Sequence, residues 1–228
     1  MKVIFLGTNG WYDTETGNTI CTLVQTERYD ILLDAGNGIH RATGLLEGAK
    51  PVFLFLSHFH IDHIEGLHIL AKFRFREGLT ICAPTGGREI LGTFINAPFT
   101  IPLAALPYPA RILEMPEETA SLPFSVKALP LRHASLTLGY RFAIDGRIIS
   151  YCPDTGYCEN AVNLALASDL LITECAYQEG QSCEEWPHLN PETAARIARE
   201  AGAKRLALTH FDAGVYASLP ERKESEAV

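Results

Sequence analysis

The chain has 228 residues, 47% of them hydrophobic and 20% charged, with a formal net charge of −8. This composition excludes disordered and fibrous architectures, and the length allows a sizeable core. No apolar run reaches the ~18 residues of a membrane-spanning helix, and the acidic balance disfavours bulk nucleic acid or anionic membrane as partners.

Residues 2–6 read as a short buried strand ended by the turn Gly7-Thr8-Asn9-Gly10. That apolar run is too short for a secretory signal. Residues 19–26 and 30–33 read as strands joined by Glu27-Arg28-Tyr29, and 37–46 as a helix after the break at Asp34-Ala35-Gly36. Residues 52–56 are five consecutive apolar side chains, the mark of a strand buried on both faces. A helix over 66–73, a strand over 79–83 and a helix over 87–95 follow. Four prolines, Pro98, Pro102, Pro107 and Pro109, make 96–110 a loop, long enough to overhang a site and select substrate. Strands are expected over 111–113, 124–131, 137–144 and 147–151, the last two joined by Asp145-Gly146, a tight-hairpin signal. A helix over 160–167, a strand over 170–173, a helix over 191–201 and a strand over 205–208 complete the order. Asn190 and Pro191 suit the cap and first position of the last helix. No internal repeat or low-complexity linker interrupts the chain, so one domain over 1–228 is the simplest organisation.

The six cysteines, Cys21, Cys82, Cys152, Cys158, Cys175 and Cys183, include no pair spaced as C-x₂-C or C-x₄-C. They read as reduced packing thiols of a cytoplasmic protein and not as a zinc ribbon. The histidines carry more. Ser57-His58-Phe59-His60-Ile61-Asp62-His63 places three histidines and an aspartate within six residues, directly after the buried strand. Packing gives no reason for that density, and loops at strand ends are where scaffolds present reactive groups. Alternation sends His58 and His60 the same way, while Asp62 and His63 turn elsewhere, which could feed two neighbouring metals. Three remote candidates share the strand-end placement: His133, Asp154 and His210. Nitrogen and oxygen donors without thiolate suit zinc, and also manganese or iron.

The pattern H-x-H-x-D-H at 58–63, followed by His133, Asp154 and His210, resembles the metallo-β-lactamase superfamily. Phe5-Leu6-Gly7-Thr8 and Leu33-Asp34-Ala35-Gly36 resemble that family's first strands, so the likeness runs from the first strand to His210. The resemblance implies an α/β (α+β) fold, a four-layer αβ/βα sandwich. It also implies a dinuclear site: His58, His60 and His133 on one ion, Asp62, His63 and His210 on the other, with Asp154 bridging. A homodimer is expected on the same ground. His188, in Glu185-Trp186-Pro187-His188-Leu189-Asn190 before an Ala-rich helix, resembles the extra catalytic histidine of the ribonuclease Z and phosphodiesterase branch. Most of those enzymes carry an inserted arm that grips transfer RNA between the lone histidine and the bridging aspartate. Here only 20 residues separate His133 from Asp154, which leaves no room for an arm. Lys72-Phe73-Arg74-Phe75-Arg76 is the one notable basic–aromatic run, and it reads as a solvated helix end.

The expected function is hydrolysis of a small or cyclic phosphodiester by metal-hydroxide attack at two divalent ions, Zn²⁺ first and Mn²⁺ or Fe²⁺ as alternatives. His188 is the expected proton donor, and Asp62 both ligand and proton acceptor. Other readings are transfer-RNA 3′ processing, hydrolysis of a lactone, thioester or sulfate ester, and an iron-dependent oxygen-using protein. His40 and His68 read as ordinary helix residues.

Overall fold

The five apolar residues after Pro51 set the middle of the first sheet. In the computed structural model, which describes residues 1–46 and 50–225, Val52 to Leu56 are all buried. The Val52–Phe55 strand pairs in parallel with Asp30–Leu33 on one side and Leu79–Pro84 on the other. A run without polar alternation suits a strand covered on both faces.

Packing divides the chain into two units. The first comprises Met1–Gly7 and Asn18–Ser121. Its six-stranded sheet runs in the order Lys2–Gly7, Cys21–Gln25, Asp30–Leu33, Val52–Phe55, Leu79–Pro84, Ala110–Met115. The first three strands are antiparallel neighbours and the rest are parallel. Leu23, Leu32, Leu54, Leu67, Phe75 and Ile81 are among its core. The basic–aromatic run alternates as a core-facing segment does: Phe73 and Phe75 are buried and stack at 5.1 Å, while Lys72, Arg74 and Arg76 are exposed. Its aromatic rings are therefore core, not a surface for bases. The Pro-rich loop is tied to the neighbouring 65–72 segment, with the Tyr108 hydroxyl donating to the Leu70 carbonyl at 2.7 Å.

The second unit comprises Thr8–Gly17 and Leu122–Val228. Its five-stranded sheet runs Leu206–Thr209, Leu170–Glu174, Arg147–Cys152, Leu138–Ile144, Ser125–Pro130. Asp145 and Gly146 both take positive φ, 51° and 68°, as the tight hairpin between Leu138–Ile144 and Arg147–Cys152 requires. Helices Glu159–Ala165 and Pro191–Ala201 supply Leu164, Ala194 and Ile197 to a core shared with Leu171. Pro191–Ala201 begins as its sequence dictates: the Asn190 side chain accepts the Thr193 N–H at 2.9 Å, and Pro191 takes the first turn.

Departures from the sequence-based expectation are local. The 37–46 and 66–73 segments form 3₁₀ helices over Asn37–Ala42 and Glu65–Lys72. At Gly66 the N–H goes to the Ala35 carbonyl at 2.8 Å instead of into a helical ladder. Asn9–Gly10, expected as turn, pairs in parallel with Phe211–Asp212. A C-terminal helix, Leu219–Glu224, was not anticipated, although Ser218-Leu219-Pro220-Glu221 carries the capping-box pattern that starts it. His40 and His68 are exposed and donate from Nδ1 to nearby carbonyls, as ordinary helix residues do. Cys21, Cys82, Cys152 and Cys175 are buried thiols, and burial pushes Cys175 up to about 12. Among the described residues no helix is long and apolar enough to cross a membrane.

Asp169, at the base of the second sheet, is held at about 2 by the Lys204 ammonium, with the Ile148 N–H as a second donor. The folded state thus binds fewer protons than the unfolded chain between pH 4 and 2, and stability falls as pH drops through that window. In Asp169→Asn that part of the acid sensitivity disappears. Urea midpoints at pH 4 and pH 2 should lie closer together in the variant than in the parent.

Candidate metal centre

In the first unit the donors leave the end of the Val52–Phe55 strand. Ser57 and His58 are fully buried. The chain then makes one helical turn, Ile61–Ile64, after His60. That turn is the physical form of the expected change of direction: His58 and His60 lie on extended chain, Asp62 and His63 on a helical turn. The His58 ring centroid is 4.4 Å from His60 and 4.2 Å from His63. His63 Nε2 is 3.9 Å from Asp62 Oδ2.

Asp34 organises this group and was not anticipated as a site residue. It ends the Asp30–Leu33 strand with a left-handed φ of 55°. Its Oδ1 accepts the Ser57 N–H at 2.7 Å, and its Oδ2 accepts the Ser57 hydroxyl at 2.8 Å. His63 Nδ1 lies 2.8 Å from the same Oδ2. A carboxylate only accepts, so His63 carries its proton on Nδ1 and presents the Nε2 lone pair. Ser57 has one hydroxyl proton and gives it to Asp34. Toward His58 Nδ1, 2.9 Å away, Ser57 therefore accepts, so His58 also presents Nε2. One buried carboxylate thus sets the tautomer of two imidazoles.

Glycine lets the backbone come this close. A Cβ on Gly36 would stand 2.3 Å from the Asp62 carbonyl oxygen, a backbone atom with nowhere to move. Gly36→Ala should cost about 1–3 kcal/mol of stability and weaken metal binding, because the Asp62–His63 turn must shift. A urea titration and a metal titration of the variant check both effects.

In the second unit each donor again follows a strand. The His133 side chain is buried beyond Ser125–Pro130, Asp154 beyond Arg147–Cys152, and His210 directly after Leu206–Thr209. Asp154 Oδ1 lies 3.3 Å from His210 Nε2, and Oδ2 lies 3.8 Å from His133 Nε2. The two oxygens of one carboxylate thus face two different imidazoles. His210 takes a left-handed φ of 52° and packs on Gly10, where a Cβ would come within 2.6 Å of its ring. The Phe211–Asn9 pairing holds that contact.

His188 stacks on His210 with centroids 5.8 Å apart and planes within 13°. Its Nδ1 lies 2.7 Å from Glu174 Oε1. Glu174 is fully buried at the end of Leu170–Glu174 and also accepts the Thr155 N–H at 2.5 Å and the Ala176 N–H at 3.2 Å. The carboxylate holds Nδ1–H, so Nε2 is the atom His188 offers. Glu174 was missed from sequence because it reads only as the residue after the strand over 170–173. Asp154, His188 and His210 each offer a donor within 4.8 Å of the others, and all three are buried.

The donors of each unit fit divalent metal: imidazole nitrogens, with the tautomers of His58, His63 and His188 fixed, carboxylates beside them and no thiolate. The chain matches the beta-lactamase superfamily domain over residues 29–211. It is 28% identical to the probable metallo-hydrolase YhfI of Bacillus subtilis over 231 residues, covering 100% of this chain and 93% of that protein. The crystal structure of that metallo-β-lactamase fold protein superposes with a TM-score of 0.78, covering 99% of this chain and 91% of the other. A ribonuclease Z of Bacillus licheniformis is 27% identical, covering 93% of this chain and 89% of that enzyme. The short form of human tRNase Z is 26% identical, with a TM-score of 0.75 and 93% of each chain covered. The chain belongs to the beta-lactamase superfamily and is a metal-dependent hydrolase of the metallo-β-lactamase fold.

Proposed function

We propose that the protein is a dinuclear phosphodiesterase acting on a small or cyclic phosphodiester. The observation that carries the dinuclear reading is Asp154, whose two oxygens face His133 and His210 separately. On this reading His58, His60 and His133 hold one ion, Asp62, His63 and His210 the other, and Asp154 bridges. Zn²⁺ is the first choice for such donors, with Mn²⁺ and Fe²⁺ compatible. When bound, the ions supply a nucleophile at neutral pH and charge stabilisation for the phosphoryl oxygens. The residues do the rest. Asp34 and Ser57 hold His63 and His58 in the ligating tautomer. His188, in the doubly protonated form that the Glu174 carboxylate stabilises, gives its Nε2 proton or a hydrogen bond to the leaving oxygen. Asp62 accepts a proton from the attacking group.

The names of the ribonuclease Z relatives support a phosphodiester over a lactone, thioester or sulfate ester. A small substrate is favoured over transfer RNA by two features. The alignment to the Bacillus licheniformis enzyme runs over 277 residues, longer than this whole chain, whereas that to YhfI runs over 231. The ribonuclease Z therefore carries segments that this chain lacks. The net charge of −8 also opposes a long polyanion. The reading includes a cytoplasmic location and a homodimer.

The test is a substrate panel with the zinc-loaded protein: bis-p-nitrophenyl phosphate, a lactone, a thioester, an aryl sulfate and a precursor transfer RNA. The diester should exceed the other small esters by at least about 100-fold in kcat/KM. Preferred cleavage of the precursor RNA would replace this reading with 3′ processing. Oxygen consumption by the iron-loaded protein without ester turnover would replace it with oxygen chemistry.

A further inference from the structure

The chain has two tryptophans, and they meet beside the candidate centre. The Trp11 and Trp186 ring centroids are 6.0 Å apart with planes 30° from parallel. Trp186 continues inward, with its ring 5.7 Å from His133 and 6.1 Å from His188. Trp11 is 54% exposed and takes a left-handed φ of 68°, an unfavourable conformation for a bulky residue that persists only where the surroundings impose it.

The surroundings do impose it. Gly10 is fixed against His210 and paired to Asp212, which leaves Trp11 as the next residue out. The Asn9 amide donates to Tyr12 O at 3.0 Å and to Gly17 O at 2.9 Å, closing the loop. From the C-terminal helix, the buried Arg222 donates to Thr8 Oγ1 at 3.0 Å, Asn9 Oδ1 at 2.8 Å and Thr16 Oγ1 at 2.9 Å. Trp11 is thus held on a braced loop with 54% of its surface exposed, at the outer end of a row that leads through Trp186 to His188.

We infer that Trp11 and Trp186 form a stacking platform for a nucleobase, so that the phosphodiester turned over here is a nucleotide. This deepens the phosphodiesterase reading and rests on it. A base presents a flat π-face of the size an indole covers, and stacking tolerates any base. Trp11 is then a specificity-determining residue: it contacts the base and not the phosphate.

Because the protein has no other tryptophan, its indole fluorescence reports this pair alone. The zinc-loaded protein is titrated with adenosine 5′-monophosphate and, separately, with ribose 5-phosphate. The expected result is saturable quenching by the nucleotide and binding at least about 10-fold tighter than the sugar phosphate. In Trp11→Leu, read through Trp186, most of that preference is lost. In Trp11→Phe, which keeps a ring, part of it returns. Thermal melting of both variants checks the fold. Equal affinity for the two phosphates, no saturable quenching by the nucleotide, or equal weakening of both ligands in Trp11→Leu overturns the platform.

Hydrolysis separates this failure from failure of the parent reading. Thymidine 5′-p-nitrophenyl phosphate should exceed methyl p-nitrophenyl phosphate in kcat/KM, and Trp11→Leu should lower that ratio about 10-fold, mainly through KM. Turnover of both diesters without preference overturns the platform alone. Nucleotide-selective binding without turnover of either diester overturns the phosphodiesterase reading alone.

Discussion

Replacing His188 by alanine is expected to lower kcat by about 10²–10⁴-fold while the protein still binds two metal equivalents. The expectation is sharp because the structure offers His188 two roles. Its donor atom sits within 4.8 Å of those of Asp154 and His210, which a third metal ligand would also do. Yet its Nδ1 is engaged by Glu174 at 2.7 Å and its ring lies parallel to His210 at 5.8 Å. A ring stacked beside a proposed ligand, with Nδ1 already engaged, would be free to serve the leaving oxygen instead of an ion. Elemental analysis decides the matter: loss of a metal equivalent in His188→Ala makes the residue a ligand and removes the proton-donor role. Glu174→Gln provides a second measurement. The amide can no longer hold Nδ1–H by charge, so kcat should fall about 10–100-fold with little change in KM. The pH–rate profile should shift as well, which loss of packing alone would not produce.

Asp154→Ala is expected to abolish stable binding of at least one ion and to cut activity by about 10³-fold or more. That is the scale of the several kcal/mol of charge stabilisation a metal supplies. Divalent metal should raise the melting temperature of the parent protein, because an ion that binds only the folded state stabilises it. The variant should show little of that increase. Asp154→Asn keeps the shape and removes the charge, and it should behave like alanine if bridging is the role. If both variants keep two ions and full activity, the dinuclear assignment fails. Chelation of the parent protein should reproduce the loss of activity and of the thermal shift together.

Much of this protein is legible along the chain because the physics involved is local. Continuous apolarity at 52–56 requires a strand covered on both faces. Asp145-Gly146 requires a tight hairpin because both residues accept positive φ. Asn190-Pro191 starts a helix with a cap and a preset φ. The candidate donors at 58–63 are legible for the same reason, since packing gives no cause to crowd three histidines and an aspartate into six residues. His133, Asp154 and His210 are isolated, and only their shared placement after strands and the family resemblance singled them out.

Other features leave no trace at any short spacing. Asp34 reaches His63 across 29 positions, and Glu174 reaches His188 across 14. In sequence each is only a residue at the end of a strand. Their roles arise because parallel strands deliver their ends to the same edge, where a buried carboxylate must find donors or remain uncompensated. The pairing of Asn9–Gly10 with Phe211–Asp212 and the grip of Arg222 on residues 8–16 join opposite ends of the chain. No periodicity can report contacts over such separations. The sequence by itself determined most of the strand and helix order and the supply of candidate metal donors, because those follow from propensity and residue chemistry. Only the tertiary structure decided which nitrogen His58, His63 and His188 present and which aromatic rings stand beside the centre, because both depend on hydrogen bonds and packing between distant segments.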